Sequence, residues 1–277
     1  MLKIMLNVRN RLSITKKCIE SIEKNAVEPY KIYVYDNLTN YRVADHFEYW
    51  RKLYEEGRIT QITINTKDST FNAFSKASSS NMFGAIHEQD PEKDSYAGLL
   101  FLDNDIIIVR KKFDKLFRKA WVDIKKNKMN DVKIVGQWPG GIKHKVMVEH
   151  KLAGVPAVIG KLGGSGMWYV KPNFFRDVGF LPLKRLVGQH KQHDQIYWSL
   201  CEHATKGAPY IVGLKQKIGI HCGHIAGSLC NNLQKGRNDP KILDKIKFEK
   251  SDKMIEDMTY DEFHASIVDD KFCINDW

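Results

Sequence analysis

A chain of 277 residues, 43% of them apolar, can bury a sizeable core as one large α/β domain or two small ones, which excludes an extended or disordered chain. No apolar run approaches the roughly 20 residues of a membrane-spanning helix, and the N-terminus enters a strand pattern without the layout of a signal peptide, so a soluble, cytoplasmic protein is expected. The formal charge of +11 is concentrated: Arg110 to Lys191 holds 19 Lys and Arg against 5 Asp and Glu, a local excess of +14 that fits a solvated face or an anionic partner, either a nucleotide diphosphate or a polyanion such as nucleic acid.

In chain order, Lys3 to Val8 predicts a short apolar strand, and Ser13 to Asn25 a helix with Ile14, Cys18, Ile19 and Ile22 on one face and Ser13 as N-cap. Tyr30 to Tyr35 predicts a second strand, ending at Asp36-Asn37. Val43 to Glu56 reads as a helix, Ile59 to Ile64 as a strand, Phe71 to His87 as a helix and Ala97 to Leu102 as a strand. This βαβαβαβ order implies a mainly parallel sheet with helices on both faces, and it places Asn7, Asp36 and Asp103 at carboxyl ends of strands, where such sheets collect ligands.

Farther on, Phe113 to Lys126 predicts a basic amphipathic helix, Val132 to Gln137 a strand and Trp138 to Gly141 a turn. Val155 to Ile159 and Met167 to Val170 predict strands around the glycine loop 160–166. Pro172 to Val178 predicts a short helix, Gln189 to Lys206 a longer one and Tyr210 to Leu214 a further strand. The reading divides the chain into 1–107 and 108–232, two halves of one domain with the second basic, and a charged helical C-terminal tail, 233–277, packed peripherally or partly mobile.

Asp103-Asn104-Asp105 interrupts the apolar run from Ala97 to Val109. Alternation along a strand puts both carboxylates on one side, where they suit a hard divalent cation. An ordinary acidic turn is the other reading of the triplet; a cation would offset the cost of burying two carboxylates beside such a strand. Cys18, Cys201, Cys222, Cys230 and Cys273 are odd in number and lack a Cys-x-x-Cys pair, so free thiols are expected. No Gly-x-Gly-x-x-Gly follows the first strand and no Walker lysine motif occurs, which disfavours a dinucleotide fold or a P-loop NTPase.

These pieces come in a known order. Asn7-Val8-Arg9-Asn10-Arg11 after the first strand, Cys18-Ile19-Glu20-Ser21-Ile22, Val34-Tyr35-Asp36-Asn37 and Leu100-Phe101-Leu102-Asp103-Asn104-Asp105, followed by Gly164-Ser165-Gly166-Met167-Trp168-Tyr169-Val170, Phe175-Arg176-Asp177-Val178-Gly179-Phe180 and His193-Asp194-Gln195-Ile196-Tyr197-Trp198, resemble the GT-A-fold glycosyltransferases, especially the family 2-like group, over roughly residues 1 to 225. The resemblance implies a Rossmann-like α/β fold with a smaller acceptor-side subregion. It also implies transfer of a sugar from a nucleotide diphosphate donor, a UDP-sugar first among them, with Mn2+ or Mg2+.

Residue by residue, it implies that Asp36 reads the base, with Asn7 or Arg9 near base and ribose. Asp103 and Asp105 are implied as metal ligands, Asp105 the more direct; Lys76 and Asn81 match loosely to positions near the diphosphate or sugar. Gly164, in the Gly163 to Gly166 loop, would lie against the donor sugar, although a plain tight turn fits those glycines too. Asp194 matches the catalytic base of an inverting transfer, but the residue before it is His193 where the family has an acid, and an Asp capping the following helix is the alternative. His221 and His224 lie where related enzymes supply a histidine to the metal; they are equally compatible with a structural role, and with Cys222 they lack the fourth ligand a zinc site needs. Trp138 is expected to be the exposed aromatic among several candidates for stacking on a sugar or base.

The acceptor stays open in the sequence. The basic middle and absent membrane span suit a nucleic-acid acceptor such as hydroxymethylated bases in viral DNA; the alternatives are a surface polysaccharide or protein glycan acceptor, a nucleotidyltransferase of similar fold, and a non-catalytic basic nucleic-acid-binding module. A nucleotidyltransferase wants a glycine- and lysine-rich loop after the first strand, and Asn7 to Ser13 contains no glycine.

Overall fold

The first strand, Leu2–Val8 (β1), is buried along its whole length, as a strand covered on both faces must be. In this computed structural model the described residues are 1–37, 42–65, 72–138, 148–161, 166–180, 193–222, 252 and 255–268, with backbone alone described for 72–78 and 193–198. Helix Leu12–Asn25 (α1) follows, burying Ile14, Cys18, Ile19 and Ile22 as its spacing requires. Then come Tyr30–Asn37 (β2), Val43–Glu55 (α2), Gln61–Asn65 (β3), Asn72–Gln89 (α3) and Gly98–Asp103 (β4).

Beyond β4 the order is Ile106–Ile108 (β5), Phe113–Lys126 (α4), Ile134–Gln137 (β6), Val148–Leu152 (β7), Val155–Gly160 (β8), Met167–Val170 (β9), Phe174–Val178 (α5), His193–Ala204 (α6), Ile211–Leu214 (β10), Gly219–His221 (β11) and Tyr260–Val268 (α7). Among the described residues nine strands form one sheet in the order β3-β2-β1-β4-β9-β6-β10-β8-β7, while β5 and β11 form a separate antiparallel pair. The half containing β3, β2, β1 and β4 is parallel, as expected.

The other half departs from the mainly parallel expectation. Strand β9 inserts antiparallel between β4 and β6, and β8 and β7 run antiparallel at the edge beyond β10. A two-residue turn joins β7 to β8, with Ala153 at φ 52° and Gly154 at φ 81°, the left-handed pair that lets a tight hairpin match the strand twist. The sequence reading missed β5, β7 and β11. The strand expected at 97–102 is there as β4, and the apolar run after the two carboxylates turns at Asn104-Asp105 and leaves the large sheet as β5.

Buried Lys3 sends its Nζ 2.6 Å from Asp90 Oδ2 and lies over the rings of Tyr33 and Tyr96. Burial lowers the pKa of that ammonium below its ordinary value; the Asp90 carboxyl, raised by burial, is drawn down to about 2 by hydrogen bonds from Lys3, the Glu92 amide and Tyr96. In α4, Phe113, Leu116, Phe117, Ala120, Trp121 and Ile124 face the core, and Asp114 turns inward to accept from the Val27 and Glu28 amides at 2.8 and 2.6 Å. From the C-terminal tail, Ile255, Phe263 and Ile267 join the main apolar core. Cys18 and Cys201 are buried free thiols and Cys222 is buried too, and no helix among the described residues is long and apolar enough to cross a membrane.

Candidate functional site

Parallel pairing aligns the carboxyl ends of β1, β2 and β4. Asn7 lies in register with Tyr35 on one side and Asp103 on the other, and Val8 with Asp36. The Asn104 amide donates to the Asn7 carbonyl at 3.0 Å, so the turn after β4 is tied to the end of β1. Asn7 is buried, and its Oδ1 has no hydrogen-bond partner among the described residues.

Asp36 is 3% exposed. Trp50 Nε1 of α2 donates to its Oδ2 at 3.0 Å, and His46 Nδ1 lies 3.8 Å from the same oxygen. Burial pushes the His46 imidazole below its ordinary value, against the opposing pull of Asp36. Asp36 is therefore a held carboxylate, oriented by two aromatic side chains of the next helix.

At the turn, Asp103 is partly exposed and its amide donates to the carbonyl of Gly166, the last residue of the glycine loop, at 3.0 Å. Asn104 is buried, its Nδ2 donating to the Asn10 carbonyl at 3.1 Å and to Thr15 Oγ1 at 2.7 Å. The Asp105 carboxylate meets Arg11 Nη1 at 2.8 Å through Oδ2 and lies 3.3 Å from His221 Nε2 through Oδ1. His221 arrives by antiparallel pairing: β11 sets His221 opposite Ile106, the Cys222 amide donates to the Asp105 carbonyl at 2.7 Å, and Gln137 Oε1 anchors the amides of Ile218 and Gly219 at 2.6 and 2.8 Å.

Burial pushes the Cys18 thiol well above its ordinary value, and the nearby Asp105 and Asp103 carboxylates add to that shift. Thus α1 packs beneath a concentration of negative charge, which Arg11 faces from the N-cap position. The structure brings together Asn7, Asp103, Asp105 and His221, with Arg9 exposed just past β1. Asp36 stands one strand over. Asn81 is partly buried on α3; Lys76 lies on the same helix and Asp194 in the first turn of α6, with both side chains outside the described residues, as are Gly164 and His224.

Helix α6 starts at His193, so Asp194 is its second residue. Ser13 does not cap α1: Arg11 holds that place at φ 58° with no side-chain cap. Trp138 is partly buried instead of exposed, its ring packed against Gly213 so closely that a Cβ there would meet Cε3 at 2.6 Å. Sequence reading missed Arg11, Trp50, His46 and Gln137 as site residues. The only signal for Arg11 was its place two residues past an arginine at a strand end.

The donor set suits a hard or borderline divalent cation. Asp105 offers a carboxylate oxygen and His221 Nε2 an imidazole nitrogen 3.3 Å away, and such a mixed O and N pair fits Mn2+. Among the described residues no three His, Cys, Asp or Glu side chains converge as a complete cage, so further ligands would come from water and substrate oxygens, as is usual for cations that work on phosphates.

No family model matches the sequence, and no curated protein matches it by sequence. Among solved structures, GalNAc-T7 with UDP, GalNAc and Mn2+ superposes with TM-score 0.53 at 9% identity over 77% of this chain, which spans 42% of that chain. A mannosyltransferase from Pyrobaculum calidifontis in complex with GDP-Man and Mn2+ gives TM-score 0.51 at 9% identity, over 90% of this chain and 68% of its own. TarS 1-349 from S. aureus gives 0.49 at 12% identity, over 89% and 70%. At such identities the likeness shows the fold, and the first two structures establish it as GT-A.

Proposed function

We propose that this GT-A domain is a divalent-cation-dependent glycosyltransferase that moves a sugar, with inversion, from a nucleotide diphosphate donor to a hydroxyl acceptor. The observation that carries the reading is the meeting of Asp105 with His221 and Arg11 beside Asn7 and Asp103, at the strand ends where this architecture collects ligands. Solved proteins of the same fold hold UDP or GDP-Man together with Mn2+.

Asp105 and His221, with Asp103 two residues away on the same turn, would hold the cation together with water and donor oxygens, and it would supply Lewis-acid stabilisation of the leaving diphosphate. Asn7 presents a buried amide oxygen at the same edge and Asp36 a carboxylate oriented by Trp50, both suited to reading the base and ribose. Arg9 and Arg11 bring positive charge toward the diphosphate. Asp194 takes the proton of the acceptor hydroxyl as that oxygen attacks the anomeric carbon from the face opposite the leaving group, the demand inversion makes.

For the acceptor we infer a polyanion, hydroxymethylated DNA. Lys111, Lys115, Lys119, Lys125 and Lys126 line the exposed side of α4 and its approach, while both acids of that helix turn away: Asp114 accepts from two backbone amides and Asp123 Oδ2 from the Ala153 amide at 2.6 Å. Arg118 has Glu28 as partner at 2.8 Å; none of the five lysines has an ion pair among the described residues. Such a face binds phosphate backbones with a steep salt dependence.

The test is release of nucleoside diphosphate from a panel of nucleotide sugars with Mn2+, with and without hydroxymethylated DNA. DNA-stimulated release is expected. Unstimulated donor hydrolysis overturns the acceptor and redirects the search to glycans; no release from any donor overturns the enzyme reading in favour of a binding module.

A further inference from the structure

The C-terminal segment enters the core beside the candidate site and brings a buried carboxylate to the start of α1. Asp252 is 1% exposed. Its Oδ1 accepts from the Ser13 amide at 2.6 Å, a contact spanning 239 residues, and its Oδ2 lies 3.3 Å from Arg42 Nη1.

A helix start leaves its first amides unsatisfied, and the side chain of the N-cap residue ordinarily accepts from one of them. Here the N-cap residue is Arg11, in the left-handed conformation with no side-chain cap. Asp252 supplies the missing acceptor from elsewhere in the chain, with a negative charge that the positive end of the helix dipole favours. The Arg11 guanidinium, which has donors only and cannot cap a helix start, goes instead to Asp105 Oδ2.

The second helix start is built alike. Arg42 is the N-cap residue of α2, also left-handed at φ 52° and without a side-chain cap, and its guanidinium reaches Asp252 and Glu256 from the C-terminal segment and Asp45 from its own helix. One buried carboxylate therefore ties the starts of α1 and α2. Those helices follow the strand ends that carry Asn7 and Asp36, and α2 carries the His46 and Trp50 that face Asp36.

We infer that Asp252 is a positioning residue of the site: delivered by the C-terminal segment, it fixes the starts of α1 and α2 and so sets Arg11 against Asp105. The tail is then part of the donor-side architecture. Only the kinetic consequence rests on the glycosyltransferase reading; the structural consequence stands or falls by itself.

The experiment compares full-length wild type, Asp252→Ala and Asp252→Asn by amide hydrogen exchange and by donor kinetics. The amides that report on the site are Ser13, Asn104, which donates to the Asn7 carbonyl, and Cys222, which donates to the Asp105 carbonyl. In Asp252→Ala all three are expected to exchange about tenfold faster, the scale of one lost cap, while Leu99 to Phe101 in β4 keep their protection. Asp252→Asn, which retains an acceptor for Ser13 but not the charge for Arg42, is expected to recover part of that protection, and it carries the test should the alanine variant fail to fold. In turnover, the KM for the donor is expected to rise about tenfold with kcat within a few-fold. Acceleration confined to residues 252–268, or wild-type exchange at Asn104 and Cys222 in both variants, overturns the inference. If the wild type turns over no donor, the function proposal fails and the exchange arm still decides this one.

Discussion

Replacing Asp105 by Asn tests the site with little change of shape. The amide is isosteric and still accepts from Arg11 Nη1, now 2.8 Å from the carboxylate, but the charge is gone. A hydrogen bond between two charged groups contributes roughly 1.5–3 kcal/mol and one to a neutral partner about 1 kcal/mol, so the expected loss is about 0.5–2 kcal/mol. The two side chains are only 15% and 14% exposed, so solvent screens little of this. For a chain of this size that lowers Tm by roughly 1–8 °C, a change that leaves the fold intact. Function should respond far more. Saturating wild type with Mn2+ at about 100 times Kd should stabilise it by about 2.7 kcal/mol, and the Asn variant should lose most of that gain together with metal-dependent release of nucleoside diphosphate. Thermal melts with and without Mn2+, run beside a turnover assay, read both quantities. A variant that keeps the Mn2+-dependent rise in Tm and its turnover would refute the assignment of Asp105 to the cation.

Asp194→Asn is expected to leave donor binding within a few-fold while transfer falls by about 10²-fold or more, as measured by donor titration beside product formation; equal loss of both would rule out its part as base. Trp50→Phe removes the Nε1 donor from buried Asp36 and should cost about 1–3 kcal/mol, with weaker nucleotide binding; an unchanged nucleotide affinity would separate Asp36 from the base. The buried His46 has its imidazole pKa lowered below the unfolded value of about 6.5, so the unfolded chain takes the proton first as pH falls, and stability should decline below about pH 6.5. Urea midpoints at pH 7.5 and 5.5 should show a smaller drop for His46→Gln than for wild type, and equal drops would remove His46 from the acid response. Gly98→Ala would drive a methyl into the ring of Tyr169, itself stacked on Phe117 at 5.1 Å, and should cost about 1–3 kcal/mol by denaturant titration; an unchanged midpoint would mean that the stack yields freely.

The sequence by itself determined the alternation of strands and helices through β4, because burial on both faces makes parallel strands continuous apolar runs and amphipathic helices carry their own period. From that order alone Asn7, Asp36 and Asp103 fall at strand ends. Phe113–Lys126 was equally legible, since its six core residues and its cations occupy opposite sides of one helix. Tertiary structure decided what meets at those ends. The insertion of β9 between β4 and β6 and the pairing of β11 with β5 join segments far apart in sequence, and a three-residue strand such as Gly219–His221 has too little periodicity to announce itself. That pairing sets His221 beside Asp105, and the left-handed turn at Asn10 and Arg11 aims a guanidinium that strand and helix patterns alone leave unassigned. Asp252 is the extreme case: in a charged, thinly apolar tail it reads as surface, and only the packing of Ile255, Phe263 and Ile267 into the core carries its carboxylate to the start of α1. Local spacing fixes which residues can form an element; the energy that buries a distant carboxylate comes from contacts no local window contains.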